Sequence, residues 1–256
     1  MITHRPPFIV HHFATLGSTN DFLKAMTAEP EFTCVVADEQ TAGRGRRDRQ
    51  WHSSPGDGLY LSILLLPQSS TRISLLSLMS SVAVAETLLE RGVTGVDIKW
   101  PNDVLVNGRK LCGILVESIG SGTYAPRIIV GIGVNLNHQS FPDELGLLAT
   151  SLKIETEQTT DVEEFRDQLL KKIYDWYVRW QRGEGGLILD RWQELSSYAL
   201  GLQITVTLDD EQLSGETAGL TEDGALILRL KTGTLRRIFS GDVTRLRKNA
   251  DDQIKQ

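Results

Sequence analysis

The chain contains 256 residues, of which 40% are hydrophobic, and its 27 basic and 33 acidic side chains give a formal net charge of −6. This length is enough for one substantial hydrophobic core and a small second domain. Net acidity disfavours binding along a polyanion, and the longest apolar stretch, Leu59 to Leu66, is far shorter than the roughly 20 residues of a transmembrane helix. The composition therefore predicts a soluble globular protein.

The N-terminal apolar run, Phe8 to Val10, is too short for a secretory signal peptide. Cys34 and Cys112 lie in apolar, strand-like surroundings and are too far apart in the sequence to build a metal cluster. We expect inert buried thiols, which are typical of a protein in the reducing cytoplasm. The five histidines show no ligand spacing on a helix, so no metal site is assigned.

Ser18 and Thr19 precede a short apolar pattern that predicts a helix beginning near Asn20. Their hydroxyl groups are suited both to capping this helix and to contacting a ligand. The local sequence leaves the two roles open.

A loop rich in arginine and glycine is the most informative local feature, and two predicted strands, Phe32 to Asp38 and Leu59 to Leu66, flank it. The loop places four arginines within six residues, interleaved with two glycines: Arg44, Arg46, Arg47, Arg49, Gly43 and Gly45. Guanidinium groups bind carboxylate and phosphate oxygens in a bidentate fork, and glycine lets the backbone approach the same oxygens. In an acidic chain this predicts a site for a small anion, with a solvated basic patch or a nonspecific nucleic-acid contact as the alternatives. Because the loop has hardly any apolar side chain to anchor it, we expect it to be mobile without ligand.

Further along the chain, Ile98 and Trp100 alternate with charged residues as in a half-buried strand. Asn107-Gly108 then predicts a hairpin turn into a second strand, Leu111 to Val116. Lys99 lies on the face opposite Ile98 and Trp100. It is either a surface lysine whose stem covers apolar neighbours or a cation of a binding site.

A third apolar strand, Ile128 to Asn137, contains Gly131 and Gly133. Glycines within a strand leave room for a ligand or for another backbone segment, and close strand packing explains them equally well. The pair lacks the third glycine and the following helix of a dinucleotide fingerprint. A Rossmann fold is therefore disfavoured.

Three longer helices are predicted from a periodicity of 3.6 residues. The first spans Ile73 to Arg91, and its apolar side chains toward the core are Leu75, Leu76, Met79, Val82, Ala83 and Leu89. The second follows a capping box from Thr160 to Glu163, and its apolar stripe is Val162, Phe165, Leu169, Ile173, Trp176 and Trp180. The third lies around Leu187 to Tyr198. We interpret the second stripe as core packing.

From Leu202 onward, short β-rich runs alternate with turn residues at strand spacing. This pattern predicts a small all-β module, most simply an SH3-like barrel. The predicted division is a catalytic domain at residues 1–200, a barrel at residues 201–248 and a tail at residues 249–256.

Five motifs, taken in order, resemble those of the biotin protein ligases over nearly the whole chain: STN at 18–20, QTAGRGRRDRQW at 40–51, KWPNDV at 99–104, GRKLCGILVES at 108–118 and GIGVNLN at 131–137. The resemblance implies an α+β fold, in which a mixed-sheet catalytic domain of the biotin/lipoate ligase type, similar to class II synthetases, precedes a small SH3-like β-barrel. Asp48 stands where the loop of that family usually has glycine. It weakens the positive field of the loop slightly and removes one flexible point.

The same resemblance implies a reaction in two halves, with ATP, Mg²⁺ and biotin as its requirements. The biotin carboxylate attacks the α-phosphorus of ATP to give biotinyl-adenylate, and a lysine of a biotin carboxyl carrier protein, a subunit of acetyl-CoA carboxylase, then takes the biotinyl group. Two anions must approach each other, so fixed cations and N–H donors are needed.

Site residues are carried over from the matching motifs. The predicted catalytic residues are Lys99, bridging the carboxylate and the α-phosphate, and Arg46 beside it. The predicted biotin contacts are Ser18, Thr19, Asn20, Gln40, Gly43, Arg44, Gly45, Arg46 and Lys99, with Gly113, Ile114 and Leu115 as the floor. The nucleotide candidates are Arg49, Trp51, Asn102 and Asn135, where a core role for the Trp51 indole is an open alternative. Asp103 either assists Mg²⁺ or forms an Asx turn.

Two other functions compete with this interpretation. A lipoate protein ligase would perform the same adenylation on a different acid, and an RNA-binding module would use the arginine loop and show salt-dependent affinity for polynucleotides. Some relatives carry an N-terminal winged-helix domain, for which the 17 residues ahead of Ser18 are too few. We therefore expect no sequence-specific DNA binding and no membrane association.

Overall fold

The computed structural model describes residues 7–68, 72–119, 126–209 and 211–246. Along the chain the strands are β1 Ile9–Leu16, β2 Thr33–Gln40, β3 Gly58–Leu65, β4 Val96–Lys99, β5 Asp103–Val106, β6 Arg109–Ile119, β7 Arg127–Asn135, β8 Leu200–Thr207, β9 Gln212–Leu220, β10 Leu226–Leu230, β11 Leu235–Ile238 and β12 Asp242–Arg245. The helices are α1 Thr19–Ala25, α2 Leu75–Glu90, α3 Asp143–Gly146, α4 Leu152–Thr156, α5 Val162–Gln181 and α6 Gly185–Glu194. The predicted α+β class is confirmed.

Strands β1 to β7 form one mixed sheet in the order β1-β2-β3-β7-β6-β5-β4. Only the β1–β2 pair in this sheet is parallel, and the other neighbours are antiparallel. The remaining strands form a separate antiparallel sheet in the order β11-β10-β9-β8-β12, as an SH3-like module requires. This sheet begins at Leu200, and the predicted tail at residues 249–256 lies outside the described residues. The predicted domain boundaries stay a prediction.

The two faces of the large sheet bury different partners. Helices α2, α5 and α6 cover one face and form the main core with alternate residues of β3, whereas α1 covers part of the other face through Leu23, which packs on Val35, Leu64 and Ile129. Cys34 and Cys112 are buried, as predicted, and burial raises the pKa of Cys34 to about 12. No helix within the described residues is long and apolar enough to cross a membrane.

Several local predictions need correction. Asp161, not Thr160, caps α5, because its carboxylate accepts from the backbone N–H groups of Glu163 and Glu164 while the Thr160 N–H donates to Asn137. Leu89, predicted to face the core, is 40% exposed because it lies on the outer side of the last turn of α2. The third long helix ends at Glu194 and does not reach Tyr198. The predicted stripe along α5 is buried, with Val162 at its edge.

Candidate active site

A cleft of about 390 Å³, a volume that suits a small-molecule ligand, opens on the face of the large sheet that carries α1. All but one of the predicted site residues line it: Ser18, Thr19, Asn20, Gln40, Arg44, Gly45, Arg46, Arg49, Trp51, Lys99, Asn102, Asp103, Gly113, Ile114, Leu115 and Asn135. The exception is Gly43, where an added Cβ would lie 2.8 Å from the Trp51 carbonyl oxygen. Gly43 lies close to the backbone of its own loop and is not among the residues that line the cleft, and its predicted contact with biotin stays a prediction.

The strand register aligns one row of residues across the floor of the cleft. Lys99 on β4 is opposite Asp103 on β5, Asp103 is opposite Gly113 on β6, and Gly113 is opposite Gly133 on β7. Paired residues project from the same face of a sheet, so two glycines lie beside a lysine and an aspartate. The floor is thus charged at one end and open at the other.

The Trp51 side chain fills this opening. A Cβ added at Gly133 would lie 2.5 Å from Trp51 Cε2, and one added at Gly113 would lie 2.8 Å from Trp51 Cζ3. The space left by Gly113 and Gly133 is therefore occupied by an indole that reaches the sheet from the arginine loop. Neither another backbone segment nor a more closely packed strand fills it. The Trp51 Nε1–H is shielded from solvent and has no hydrogen-bond partner among the described residues. The Trp51 ring both packs on the sheet and lines the cleft, and its contact with the nucleotide stays a prediction.

The Lys99 ammonium group is half-buried at the charged end of the floor and makes no ion pair or hydrogen bond with the described residues. Burial lowers its pKa, and the nearby charges of Lys110 and Arg49 act in the same direction, against Asp103 and Asp242. A half-buried cation without an ion pair or hydrogen bond to the described residues favours binding of an anion. This placement contradicts the interpretation of Lys99 as an ordinary surface lysine.

Arg46 is the second cation that faces the cleft without a carboxylate partner in the described chain. Its Nη1 donates to Asn102 Oδ1 at 3.5 Å, and burial is the main cause that lowers its pKa. Asn102 is itself fixed, because its Nδ2 donates to the Ile114 carbonyl at 2.8 Å while its own carbonyl accepts from the Ile114 N–H at 3.0 Å. Asn102 therefore holds the Arg46 guanidinium group on the wall of the cleft that Lys99 also lines.

The other arginines of the loop bind carboxylates, which the sequence analysis did not anticipate. Arg44 forms a bidentate pair with Asp21, at 3.1 and 2.5 Å, and lies 3.2 Å from Glu117. Arg47 contacts Asp209 at 3.0 Å and Asp242 at 3.3 Å. Arg49 also contacts Asp242. The loop is tied to the catalytic sheet at one side and to the C-terminal module at the other, and its predicted mobility stays a prediction.

A buried polar network forms the end of the cleft under α1. Gln40 Oε1 accepts from both the N–H and the hydroxyl group of Thr19, at 2.8 and 3.0 Å. Asn20 donates to Glu117 at 2.7 Å, and the Ser62 hydroxyl oxygen lies 2.5 Å from Asn20 Oδ1. Ser18 caps α1 by accepting from the Asp21 N–H, which confirms the capping role, whereas contact of Ser18 or Thr19 with a ligand stays a prediction. Ser62, fully buried on β3, was missed because a single serine in an apolar strand carries no distinguishing signal.

Glu117 joins this network to the loop, and its replacement gives a stability prediction. Burial alone would raise the pKa of Glu117, but hydrogen bonds from Lys24 and Asn20 and the charges of Lys24 and Arg44 outweigh burial and lower it. A lowered pKa in the folded state stabilises the protein above the ordinary value of 4.5, and this stabilisation is lost as the pH falls through the lowered value. Glu117→Gln is therefore expected to cost about 1 to 3 kcal/mol in urea unfolding at pH 7. The cost should shrink below pH 4.5. An equal loss of unfolding free energy at pH 7 and below pH 4.5 would contradict this prediction.

Sequence reasoning missed several residues of the cleft wall. Lys110 lies 2.7 Å from Asp103, with its Nζ 5.4 Å from the centroid of the Trp51 ring. Tyr198 and Asp242 come from the segment before β8 and from the start of β12, and other wall residues that were missed include His52, Phe141, Leu145 and Leu148. For Leu145 and Leu148, the occurrence of leucines in a turn-rich segment was a signal that the sequence offered. For Asp242 the sequence offers no such signal, since only the packing of the two sheets brings it to the cleft.

Asn135 and Asp103 occupy more constrained positions than predicted. Asn135 is buried and donates to the Thr150 carbonyl at 3.0 Å, so only part of its amide is free to face the cleft. Asp103 pairs with Lys110, and the described residues contain no cluster of three or more potential metal ligands.

The comparisons with known sequences follow the division into two sheets. Residues 13–135 match the biotin/lipoate A/B protein ligase family, and residues 199–245 match the biotin protein ligase C terminal domain. The chain is 36% identical to the biotin--[acetyl-CoA-carboxylase] ligase of Paracoccus denitrificans over 86% of this chain and 94% of that protein. It is 37% identical to the bifunctional ligase/repressor BirA of Bacillus spizizenii over 84% of this chain, and it spans 66% of the length of that relative.

The structural comparison covers nearly the whole chain. The biotin protein ligase of Aquifex aeolicus in complex with biotin and ATP superimposes with a TM-score of 0.82 at 30% sequence identity, over 93% of this chain and 99% of that one. The likeness includes both sheets, because the covered share exceeds what either sheet alone would supply.

Proposed function

Because this chain belongs to the biotin protein ligases, within the biotin/lipoate A/B protein ligase family, we propose that it activates biotin with ATP and transfers it to a lysine of a carrier protein. The biotin carboxylate attacks the α-phosphorus of ATP and expels pyrophosphate. A lysine amine of the acceptor then attacks the acyl carbon of biotinyl-adenylate and expels AMP. The observation that carries the proposal is the placement of two cations, Lys99 and Arg46, which have no carboxylate partner among the described residues, beside a floor of glycine and tryptophan.

Lys99 and Arg46 act on the charge that develops where the two substrates meet. The carboxylate and the α-phosphate repel each other, so a preorganised ammonium and guanidinium group lower the barrier without any covalent bond to the enzyme. Half-burial strengthens both interactions because water does not screen them fully. Asn102 keeps Arg46 oriented, and this is a positioning role.

The biotin end is assigned to the buried polar network and the glycine floor. Thr19, Asn20 and Gln40 offer donors and acceptors of the kind that recognise a ureido group, and their partners within the protein hold them in place. Gly113 and Gly133 let the Trp51 indole approach the sheet closely, and we assign this ring to the place where the two substrates meet, in contact with the apolar ring of biotin as well as with the nucleotide. The arginine loop closes over this end and keeps water from the mixed anhydride.

Mg²⁺ fits the cleft only together with the nucleotide. It prefers oxygen ligands and commonly binds through one or two carboxylates plus substrate phosphates. Asp103 is the carboxylate on the floor that is placed to serve, and it would have to exchange its pair with Lys110. The ion would shield the phosphate charges as pyrophosphate leaves.

The acceptor is assigned to the biotin carboxyl carrier protein of acetyl-CoA carboxylase, in line with the name of the Paracoccus relative. The reducing cytoplasm is the proposed compartment, which the two free buried thiols support. The expectation of no sequence-specific DNA binding stays a prediction. Footprinting with purified protein, biotin and ATP would test it.

The exchange of pyrophosphate into ATP tests the acid that is used. We expect exchange that depends on biotin and is insensitive to excess lipoate, since the C-terminal match is to a biotin protein ligase domain. Exchange supported by lipoate alone would favour the lipoate ligase. Salt-dependent binding of a polynucleotide without any exchange would favour the RNA-binding alternative.

A further inference from the structure

Asp242 is the residue by which the second sheet, β8 to β12, contributes a charged side chain to the cleft. It is the first residue of β12, and its side chain lines the same cavity as Lys99 and Arg46. Its carboxylate contacts both Arg49 and Arg47, the latter at 3.3 Å. Arg47 is further held by the Thr207 carbonyl at 3.2 Å, so the loop is docked on the edge formed by β8 and β12.

The charges around Asp242 match those that a phosphate chain would need. Arg47 and Arg49 bind it directly, and its charge raises the pKa of both Arg46 and Lys99, against the larger effect of burial. Asp103, the other carboxylate on the cleft wall, is neutralised by Lys110. Asp242 is therefore the one described carboxylate that faces this set of cations and pairs only with members of the arginine loop.

We propose that Asp242 is an internal anion that occupies the phosphate-binding cations of the unliganded enzyme, and that the β- and γ-phosphates of ATP displace it. The proposal rests on the proposed function, and it assigns Arg47 and Arg49 to the phosphates. When the nucleotide binds, the two guanidinium groups exchange one carboxylate for phosphate oxygens, which carry more charge and accept more hydrogen bonds. The loop then leaves β12, so nucleotide binding couples loop closure to the C-terminal module.

An opposite role for Asp242 is physically reasonable and gives the opposite result. If the carboxylate merely orients Arg47 and Arg49 for the nucleotide, its removal would leave them misplaced and weaken anion binding. If it competes for them, its removal strengthens anion binding. The sign of the change therefore decides between the two roles.

The experiment is calorimetric titration of the full chain with inorganic pyrophosphate. Asp242→Asn and Asp242→Ala are expected to bind pyrophosphate about tenfold more tightly than the unmodified protein, because each removes a competing charge. Asp242→Glu, which keeps the charge, should stay near the original affinity. Asp209→Asn is the matched control, because Asp209 also pairs with Arg47 but is mostly exposed and does not line the cleft. The affinity of the Asp209→Asn variant for pyrophosphate should change by less than about twofold.

Unchanged or weaker pyrophosphate binding by both neutral variants, with thermal unfolding like that of the unmodified protein, would overturn the proposal. Failure of both variants to fold would also overturn it, since Asp242 would then be a structural residue. If the neutral variants bind pyrophosphate more tightly but the protein shows no biotin-dependent exchange of pyrophosphate into ATP, Asp242 is an internal anion and the proposed activation of biotin is wrong. Tighter binding with exchange at a lower KM for ATP would support both.

Discussion

Lys99→Ala is expected to slow biotin adenylation by about 10²- to 10³-fold, the usual cost of losing one preorganised donor, or roughly 3 to 4 kcal/mol. The ammonium group is half-buried in the cleft and makes no ion pair or hydrogen bond in the described chain, so its charge is available to the transition state. Pyrophosphate release at saturating biotin and ATP measures the effect. The melting temperature should barely change, because no ion pair or hydrogen bond of the described residues is lost.

Lys99→Arg is expected to rescue only part of the rate. A planar guanidinium group cannot replace a compact ammonium group between two ligands. Lys171→Ala is the control, since Lys171 is exposed on α5, and it should leave the rate unchanged. Lys110 is not a suitable control, because it lies in the cleft and pairs with Asp103. If Lys99→Ala releases pyrophosphate at a rate within about threefold of the unmodified enzyme, Lys99 is not the catalytic cation, and that role would belong to the arginine loop.

Gly133→Ala is expected to lower kcat/KM for biotin by about 10²-fold, because a displacement of about 1 Å within a site can have this cost. The new Cβ would lie 2.5 Å from Trp51 Cε2, so the indole must leave the floor. Calorimetric titration with biotin separates the loss of binding from the loss of rate. Gly186→Ala provides the same substitution on α6, where the added Cβ meets no atom within 4 Å, and biotin affinity should not change.

A double-mutant cycle isolates the contact between the floor and the loop. Trp51→Ala removes the clash, so adding Gly133→Ala to that variant should cause little further loss of biotin affinity. Full additivity of the two losses would mean that Gly133 acts through the strand itself. Unchanged biotin affinity in Gly133→Ala alone would mean that the indole is not part of the binding surface.

Much of the architecture could be predicted because it depends on local patterns. The apolar stripe of α5 and the alternation around Lys99 depend on periods of 3.6 and 2 residues, which the backbone geometry imposes. The cap of α5 was placed one residue early. Asp161 and Thr160 both have capping side chains, and only the contact of Thr160 with Asn137 decides between them.

The ion-pair partners of the arginines in the loop could not be predicted in the same way. Four adjacent arginines look alike in sequence, yet Arg44 binds Asp21 and Glu117, Arg47 and Arg49 bind Asp242, and Arg46 is left to face the cleft. The partners lie far away along the chain. Their identity depends on how β12 packs beside the loop.

The sequence by itself determined the family, the longer helices, most of the strands, the face on which Lys99 lies and the motifs that converge on one cleft. Only the tertiary structure decided that Gly113 and Gly133 form one row with Lys99 and Asp103, that an indole fills the space they leave, and that Asp242 faces the cations. The reason is that periodicity and turn chemistry are properties of neighbouring residues, whereas strand register and the packing of two sheets are set by contacts between distant parts of the chain.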